Sequence, residues 1–576
     1  MKYRWSLLHS DPSAISRIHK EVGVSELLAR CLVNRGVRDP DSAQLFLNPR
    51  LKDVADPMNL PNMEAMVDRL WLARERGERI VVFGDYDVDG VSSTALLLEV
   101  FEDLGWPLPN VYLPHRLEEG YGLSQKAVET CLTRFSPELL LAVDCGSTAG
   151  DTIAWLRNYN VDVLVLDHHQ IAEEPPDANA VVNPQINSAD DAPFRELCAA
   201  GLAFKLAHAL VKRGREENLP EAFSFDLRKL LDLVALGTIA DLVPLTGENR
   251  VLVSKGLECL KNTKRPGIQA LKEIAQIEDR VGVFEVGFQL GPRLNAAGRL
   301  ENALDALELL RAGEKEEALT LARELDFQNR ERQRIEREMA ESCVEQVRSK
   351  FESERDFVIV EGDLRWHVGV VGIVASRVMR AFYRPSIIIG GEGPEWRGSG
   401  RSIDGFDLAA ALRECDDLLI RHGGHAMAVG LSVDPKKVDE FRERLNGIAK
   451  ERISGEQLRP EITLDGESNM RELTLDTVSE LSRLQPSGQA APRVQLAIRN
   501  LKHYRPPRRI GAEQRHLKML LTDGQSVMES IWWSCCDAEP PKGVFDIAAE
   551  PTVSEFNGRK QVQLKMMDWR PALGDS

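Results

Sequence analysis

The apolar positions of this chain fall into three textures. Between residues 79 and 243, short, largely apolar runs at 80–83, 139–143, 161–166 and 181–182 alternate with stretches of helical spacing near 91–100, 150–158, 199–213 and 226–239. Short apolar runs that stop abruptly at polar residues read as strands buried on both faces, and their alternation with helices predicts a parallel sheet. Between residues 318 and 350 the apolar positions thin out, and Glu stands three or four places from Arg or Lys. That spacing predicts one long charged helix, of the kind that joins two domains. The α/β alternation resumes with a strand at 357–360, a helix at 370–381, a strand at 386–389 and a helix at 436–450. After residue 455 the period shortens towards two, with strand candidates at 461–464, 494–498, 517–521, 527–533, 544–549 and 561–567, which predicts a small β-barrel. Residues 1–50 read as helical, with an amphipathic stretch at 25–33 and a helix starting after Arg38 with Ser42 near its cap; another helix is expected at 62–76.

A chain of 576 residues exceeds one hydrophobic core and predicts three or four domains. No apolar run approaches the ~18 residues of a membrane span, and the first residues turn polar too early for a secretory leader. Nine scattered cysteines without a Cys-x-x-Cys pattern favour reduced thiols and a cytoplasmic setting. The adjacent Cys535 and Cys536 read as strand residues. A net charge of −17 argues against a general nucleic-acid coat but leaves room for a local basic groove. Residues 501–519 offer one: Lys502, Arg505, Arg508, Arg509, Arg515 and Lys518 face Glu513 alone, with Tyr504, Trp532 and Trp533 nearby. The plain alternative is a solvated strand face. Cationic grooves with interleaved rings are also how single strands are held.

The first strand candidate ends in Asp85, Asp87 and Asp89, followed by Gly90, which reads as a turn before the helix. Crowded carboxylates raise one another's pKa unless a cation neutralises them, and hard divalent ions suit carboxylate oxygens. A helix cap would also use one of these acids. The pattern is neither an EF-hand nor a phosphate-binding glycine loop. The second strand candidate ends in Asp144, which could bridge two ions. The third ends in Asp167, His168 and His169, a poor choice for packing alone. Asp241 closes an apolar helix, where the helix dipole disfavours an acid and a cation would compensate. Acids and histidines at successive carboxyl strand ends predict a ligand site at that sheet edge. Two ions there would suit phosphoryl chemistry. Two further stretches, 398–402 and 422–426, read as glycine loops with Arg401, Ser402 and His425 as donors, and 291–299 reads as a loop carrying Arg293 and Arg299.

With these residues in hand the chain resembles the DHH phosphoesterase superfamily, and within it the bacterial RecJ family of single-stranded-DNA exonucleases. The resemblance runs over nearly the whole length. It rests on Gly-Asp-Tyr-Asp-Val-Asp-Gly at 84–90, Glu-Gly-Tyr-Gly-Leu at 119–123, Asp144, Asp-His-His at 167–169 and Gly-Thr-Ile-Ala-Asp-Leu-Val-Pro-Leu at 237–245. It continues through Gly-Pro-Arg-Leu-Asn-Ala-Ala-Gly-Arg at 291–299, Gly-Val-Val-Gly-Ile-Val-Ala-Ser-Arg at 369–377, Gly-Ser-Gly-Arg-Ser at 398–402 and Gly-Gly-His-Ala-Met at 423–427.

The resemblance implies an α/β chain: an N-terminal helical segment at 1–60, a DHH catalytic domain at 61–312, a connecting helix at 313–352, a smaller DHHA1 domain at 353–455 and a C-terminal OB-fold barrel at 456–576. It implies hydrolysis of single-stranded DNA from the 5′ end to 5′-mononucleotides, with two manganese or magnesium ions, in recombination and repair. By motif position Asp87, Asp89, Asp144, His168 and Asp241 would hold the ions, with Asp85 close by or ligating, and His169 would contact the scissile phosphate. Arg293, Asn295, Arg299, Arg401, Ser402, Gly423, Gly424 and His425 would line the phosphate path. A monomer is implied, with single-strand-binding protein and a RecQ-type helicase as partners. The chain departs from the family pattern at Cys145, at His422, and at 485–492, where a Pro-aromatic-Gly element is degraded. Two rivals share this core. An oligonucleotide or cyclic-dinucleotide phosphodiesterase would lack residues 460–576, and a non-catalytic replication scaffold would have lost its ligands.

Overall fold

The computed structural model describes residues 3–572 except 117, 172–173, 188, 190–191, 279, 301, 392 and 537. Its contacts divide the chain into two units. The catalytic unit comprises Pro49–Glu338 with Pro486–Ala491; the other comprises Met1–Asn48, Met339–Gln485 and Pro492–Ser576. The predicted long helix is Lys315–Arg348, and the division falls within it.

In chain order the strands begin with β1, Arg4–Leu7. The catalytic unit then supplies β2 (Ile80–Gly84), β3 (Asn110–Tyr112), β4 (Leu139–Val143), β5 (Asp162–Leu166) and β6 (Ala180–Val182). They form one sheet in the order β3-β2-β4-β5-β6, every pair parallel. Every residue of β2 and β4 is buried, which is why these runs carry no polar alternation. Helices Val88–Asp103, Ala199–Glu216 and Leu231–Ala240 stack beside the sheet in a continuous apolar core. Each fully buried Leu, Val or Phe there contributes about 1.5–3 kcal/mol. The three-residue edge strand β3 was too short to read from the sequence. The expected turn at Gly90 is instead the first turn of the helix Val88–Asp103. A Cβ at Gly90 would lie 2.6 Å from the Asp85 carbonyl oxygen, so glycine is needed there for close approach rather than for a turn. Likewise the expected loop at 291–299 is the helix Gly291–Leu300, preceded by a π-turn at Val286–Leu290. Pro292 sits in its first turn, where a missing N–H costs nothing. Residues 486–491, in the degraded element, pack in the catalytic unit, where Leu245 N–H donates to the Gln489 carbonyl at 2.9 Å.

In the other unit, β7 (Ile359–Asp363), β8 (Ser386–Gly390), β9 (Trp396–Arg401), β10 (Leu419–His425) and β11 (Ala428–Val433) form a mixed sheet, β10-β11-β9-β8-β7. The two glycine stretches expected as loops are therefore mostly strand: 398–401 belongs to β9 and 423–425 to β10. β12 (Glu461–Leu464) pairs in parallel with β1, so the N-terminal segment is not wholly helical. Its helices Glu26–Asn34 and Pro40–Leu47 share a core with the barrel, and Asp39 caps the second by accepting the N–H of Ser42, which lies near the cap as expected. After β13 (Gly466–Ser468), strands β14 (Leu496–Ile510), β15 (His516–Thr522), β16 (Val527–Trp532), β17 (Phe545–Phe556) and β18 (Arg559–Pro571) close a barrel, since β14 pairs with both β15 and β17. Cys535 and Cys536 lie beyond β16 rather than in a strand, and all nine cysteines are free thiols. Among the described residues no helix is long and apolar enough to cross a membrane.

Candidate metal centre

The carboxyl edge of the parallel sheet gathers the acids. Asp85 directly follows β2, and Asp87 caps the helix Val88–Asp103, accepting the N–H groups of Asp89 at 2.9 Å and Gly90 at 3.2 Å. Asp89 lies in the first helical turn, and its carboxylate accepts the Ala199 and Ala200 N–H groups at 2.7 and 2.9 Å. These are the first N–H groups of the helix Ala199–Glu216, which has no side-chain cap of its own, so the acid supplies one. A Cβ at Gly237 would lie 2.4 Å from an Asp89 oxygen, so the helix Leu231–Ala240 can approach only through glycine. That helix ends in Asp241. Asp144 follows β4 with a left-handed φ of 64°, unusual for a non-glycine residue and common at functional sites.

His168 sits at the focus. Its Nε2 lies 3.3 Å from Asp144, 3.5 Å from Asp241 and 3.9 Å from Asp89. Potential ligand atoms form three overlapping groups: Asp144 with Asp167, His168 and His169; Asp89 with His168 and Asp241; and Asp85 with Asp87 and Asp144. Asp144 and His168 each belong to two of them.

Burial, and then neighbouring carboxylates, push Asp85 and Asp144 well above the usual carboxylate range. Burial and the Asp87 charge push Asp89 up to about 6; burial with Asp89 and Asp87 pushes Asp241 up to about 9. Burial, then the His169 charge, lowers His168 to about 4, leaving a neutral imidazole with a lone pair for a metal. Burial opposes charge on His169 as well, but the hydrogen bond and charge of Asp167 outweigh it and raise His169 to about 9. Asp167 is itself held below its usual range: burial opposes this, and the His169 hydrogen bond dominates among the opposing interactions. Asp85 Oδ1, Asp144 Oδ1 and His168 Nε2 are buried and make no hydrogen bond among the described residues. Orphans of this kind cost roughly 1–3 kcal/mol each. A divalent cation would satisfy them and relieve the repulsion. Carboxylates with a single imidazole suit manganese or magnesium.

Asp167 holds no orphan. It accepts the Ser147, His168 and His169 backbone N–H groups at 2.9, 2.8 and 3.2 Å, and lies 2.8 Å from His169 Nδ1. It orients both histidines, a role the sequence reading did not assign. The uncapped start of the helix at Cys198 is a signal, overlooked in that reading, that a carboxylate is needed there. Asn295 accepts the Val88 N–H at 3.2 Å, bracing the acidic turn. Arg293 donates to Asp326 at 2.9 Å and to the Gln289 carbonyl at 2.6 Å. Burial, then the charges of Arg116 and Arg332, lower Arg299 to about 10, with Asp87 opposing. In the other unit, Arg401 donates to Ser399 Oγ and the Gly400 carbonyl, and Ser402 Oγ donates to the Phe406 carbonyl. Gly423 and Gly424 are ladder residues of β10, and His425 ends that strand exposed.

A parallel sheet with acids and an Asp-His-His turn at its carboxyl edge defines the DHH class of phosphoesterase. Family models agree: DHH family, N-terminal domain, matches residues 79–238; the DHHA1 domain matches 355–451; and the RecJ OB domain matches 464–568. The chain is 35% identical to the single-stranded-DNA-specific exonuclease RecJ of Bacillus subtilis, over 98% of this chain and 71% of that one. It is also 35% identical to the Escherichia coli exonuclease of the same name, over 93% and 94% of the two chains. The crystal structure of Thermus thermophilus RecJ with Mn2+ superposes with a TM-score of 0.84 at 30% identity, covering 99% of this chain and 80% of that one. The chain belongs to the RecJ family of single-stranded-DNA-specific exonucleases.

Proposed function

We infer that this protein is a manganese- or magnesium-dependent exonuclease that hydrolyses single-stranded DNA from the 5′ end and releases 5′-mononucleotides. The observation that carries the reading is the convergence of buried, unsatisfied Asp85, Asp144 and His168 atoms at the sheet edge, within reach of Asp87, Asp89 and Asp241. On this reading Asp87, Asp89, Asp144, His168 and Asp241 would hold two ions, with Asp144 and His168 at the overlap of the groups. When bound, such a pair activates a water and stabilises the attacking and leaving oxygens of an in-line displacement. The chain's own residues do the rest. Asp85 lies beside the ligands, where its free oxygen orients the attacking water. His169, held by Asp167, donates to the scissile phosphate. Arg293, Asn295 and Arg299, with Arg401, Ser402, Gly423, Gly424 and His425 of the other unit, are assigned to substrate phosphates by motif position. The same reading divides the chain at 1–60, 61–312, 313–352, 353–455 and 456–576. It carries a monomer in the cytoplasm that meets single-strand-binding protein and a RecQ-type helicase.

The test uses 5′-labelled and 3′-labelled single strands, duplex and RNA, with Mn2+, Mg2+ or chelator. Early release of labelled mononucleotide only from the 5′-labelled single strand is expected. Equal attack on duplex, or on dinucleotides alone, would refute the reading. The retained ligands speak against a scaffold, and the complete barrel speaks against a dinucleotide phosphodiesterase.

A further inference from the structure

Tyr121 stands between Gly120 and Gly122, both left-handed at φ 89° and 61°. Glycine adopts this region of φ without a steric cost, so the chain can turn sharply on both sides of Tyr121. The turn is anchored on either side. The Glu119 carboxylate accepts the His115 N–H at 2.8 Å, and Ser124 Oγ donates to the Glu119 carbonyl at 2.6 Å. Leu123 is buried, and a Cβ at Gly122 would lie 3.3 Å from Cys145. Tyr121 itself is 52% exposed, so burial in the core does not account for it.

Its hydroxyl lies 3.0 Å from His169 Nε2, and 3.5 Å from the Asp144 carbonyl, to which it donates. The ring meets His169 edge-on at 5.9 Å and Tyr86 edge-on at 6.2 Å, with the Arg116 guanidinium 5.1 Å above the Tyr86 ring. Asp167 occupies His169 Nδ1, so Nε2 is the only ring nitrogen left to address a substrate, and Tyr121 stands at that atom.

We propose that Tyr121 is a second phosphate-contacting residue, whose hydroxyl acts with His169 Nε2 as a paired clamp on the scissile phosphate. This rests on the reading of His169 as a phosphate contact. The phenol holds Nε2 in place before substrate arrives. It then donates to the phosphate oxygen beside the one His169 addresses. Because the hydroxyl and the imidazole act on one group, their contributions are coupled.

The test is a double-mutant cycle in the full-length Mn2+-loaded protein on a 5′-phosphorylated single strand, with Mn2+ affinity and thermal midpoint measured alongside. Tyr121→Phe removes only the hydroxyl and is expected to lower kcat about 100-fold, the low end for one lost charge-stabilising donor. KM, Mn2+ affinity and midpoint should stay near wild type. In a His169→Ala background the same substitution should cost little more, the mark of groups that act as a unit. An undiminished kcat for Tyr121→Phe beside an impaired His169→Ala would overturn the Tyr121 assignment alone. A full additional loss in the His169→Ala background would overturn the coupling, and lost Mn2+ affinity would make Tyr121 a support of the metal site instead. An undiminished kcat for His169→Ala would overturn the underlying reading of His169.

Discussion

The two α/β sheets handle polar residues in opposite ways. The parallel sheet β2–β6 buries its acids at one edge, where Asp85, Asp89 and Asp144 are at most 2% exposed. The mixed sheet β7–β11 keeps its donors on strands, with Arg401 engaged locally and His425 exposed. The first arrangement is unfavourable until a cation arrives; the second is satisfied as it stands. Buried polar atoms without partners are costly, and a bound cation would remove that cost.

The strongest way to break this contrast is Asp144→Asn. Activity should fall by roughly 10³-fold or more, as for removal of a member of a catalytic unit. The metal-free protein should meanwhile melt no lower, since the buried acid that resists ionisation there is replaced by a neutral amide. Lower stability with retained activity would contradict the account; a scanning calorimeter and the labelled-strand assay decide it.

A second test follows from titration. Asp89 and Asp241 have folded-state pKa values raised to about 6 and about 9. A group with a raised pKa contributes stability below its unfolded value and loses it as pH rises through the folded value. The metal-free protein therefore loses these contributions between about pH 4 and 9. Cation binding must displace these protons, so the Mn2+-induced gain in melting temperature should grow steadily from pH 6 to 9. A gain independent of pH would remove the carboxylates from the site.

The mixed sheet gives a smaller effect. A Cβ at Gly400 would lie 2.6 Å from Val429 Cγ2 and 2.8 Å from Leu408 Cδ2. Gly400→Ala should cost about 1–3 kcal/mol by overpacking, while Mn2+ affinity is unchanged. Denaturant unfolding with parallel metal titration separates the two regions. Smallest of all, Arg508→Ala on β14 removes one exposed charge. If the barrel face contacts the strand, the salt slope of single-strand binding should fall by about 0.7. An unchanged slope would make that face merely solvated.

The same contrast explains what was legible in the sequence. Acids that end β2, β4 and β5 stand out because at least four apolar or glycine residues run directly before each, so the site's edge could be located by pattern. The glycine strands were misread as loops because glycine has poor strand propensity; in β9 it is used for close packing, with Val429, Leu408 and Ile387 against Gly400. The roles of Asp167 and Tyr121 were hidden for another reason. They depend on hydrogen bonds between separate loops, as does the Asp89 cap of a helix 110 residues away in sequence. The OB barrel was expected as a set of short strands, yet β14, β17 and β18 run 15, 12 and 13 residues. Their ends carry charged residues that blur the alternation.

The buried acid cluster is proposed to be a two-ion centre. Anomalous diffraction at the manganese edge, from crystals equilibrated with Mn2+, tests it most directly. The account predicts two peaks, ~3.5–4 Å apart, enclosed by Asp87, Asp89, Asp144, His168 and Asp241, that vanish in Asp144→Ala. No peak there, or peaks held by other residues, would contradict it.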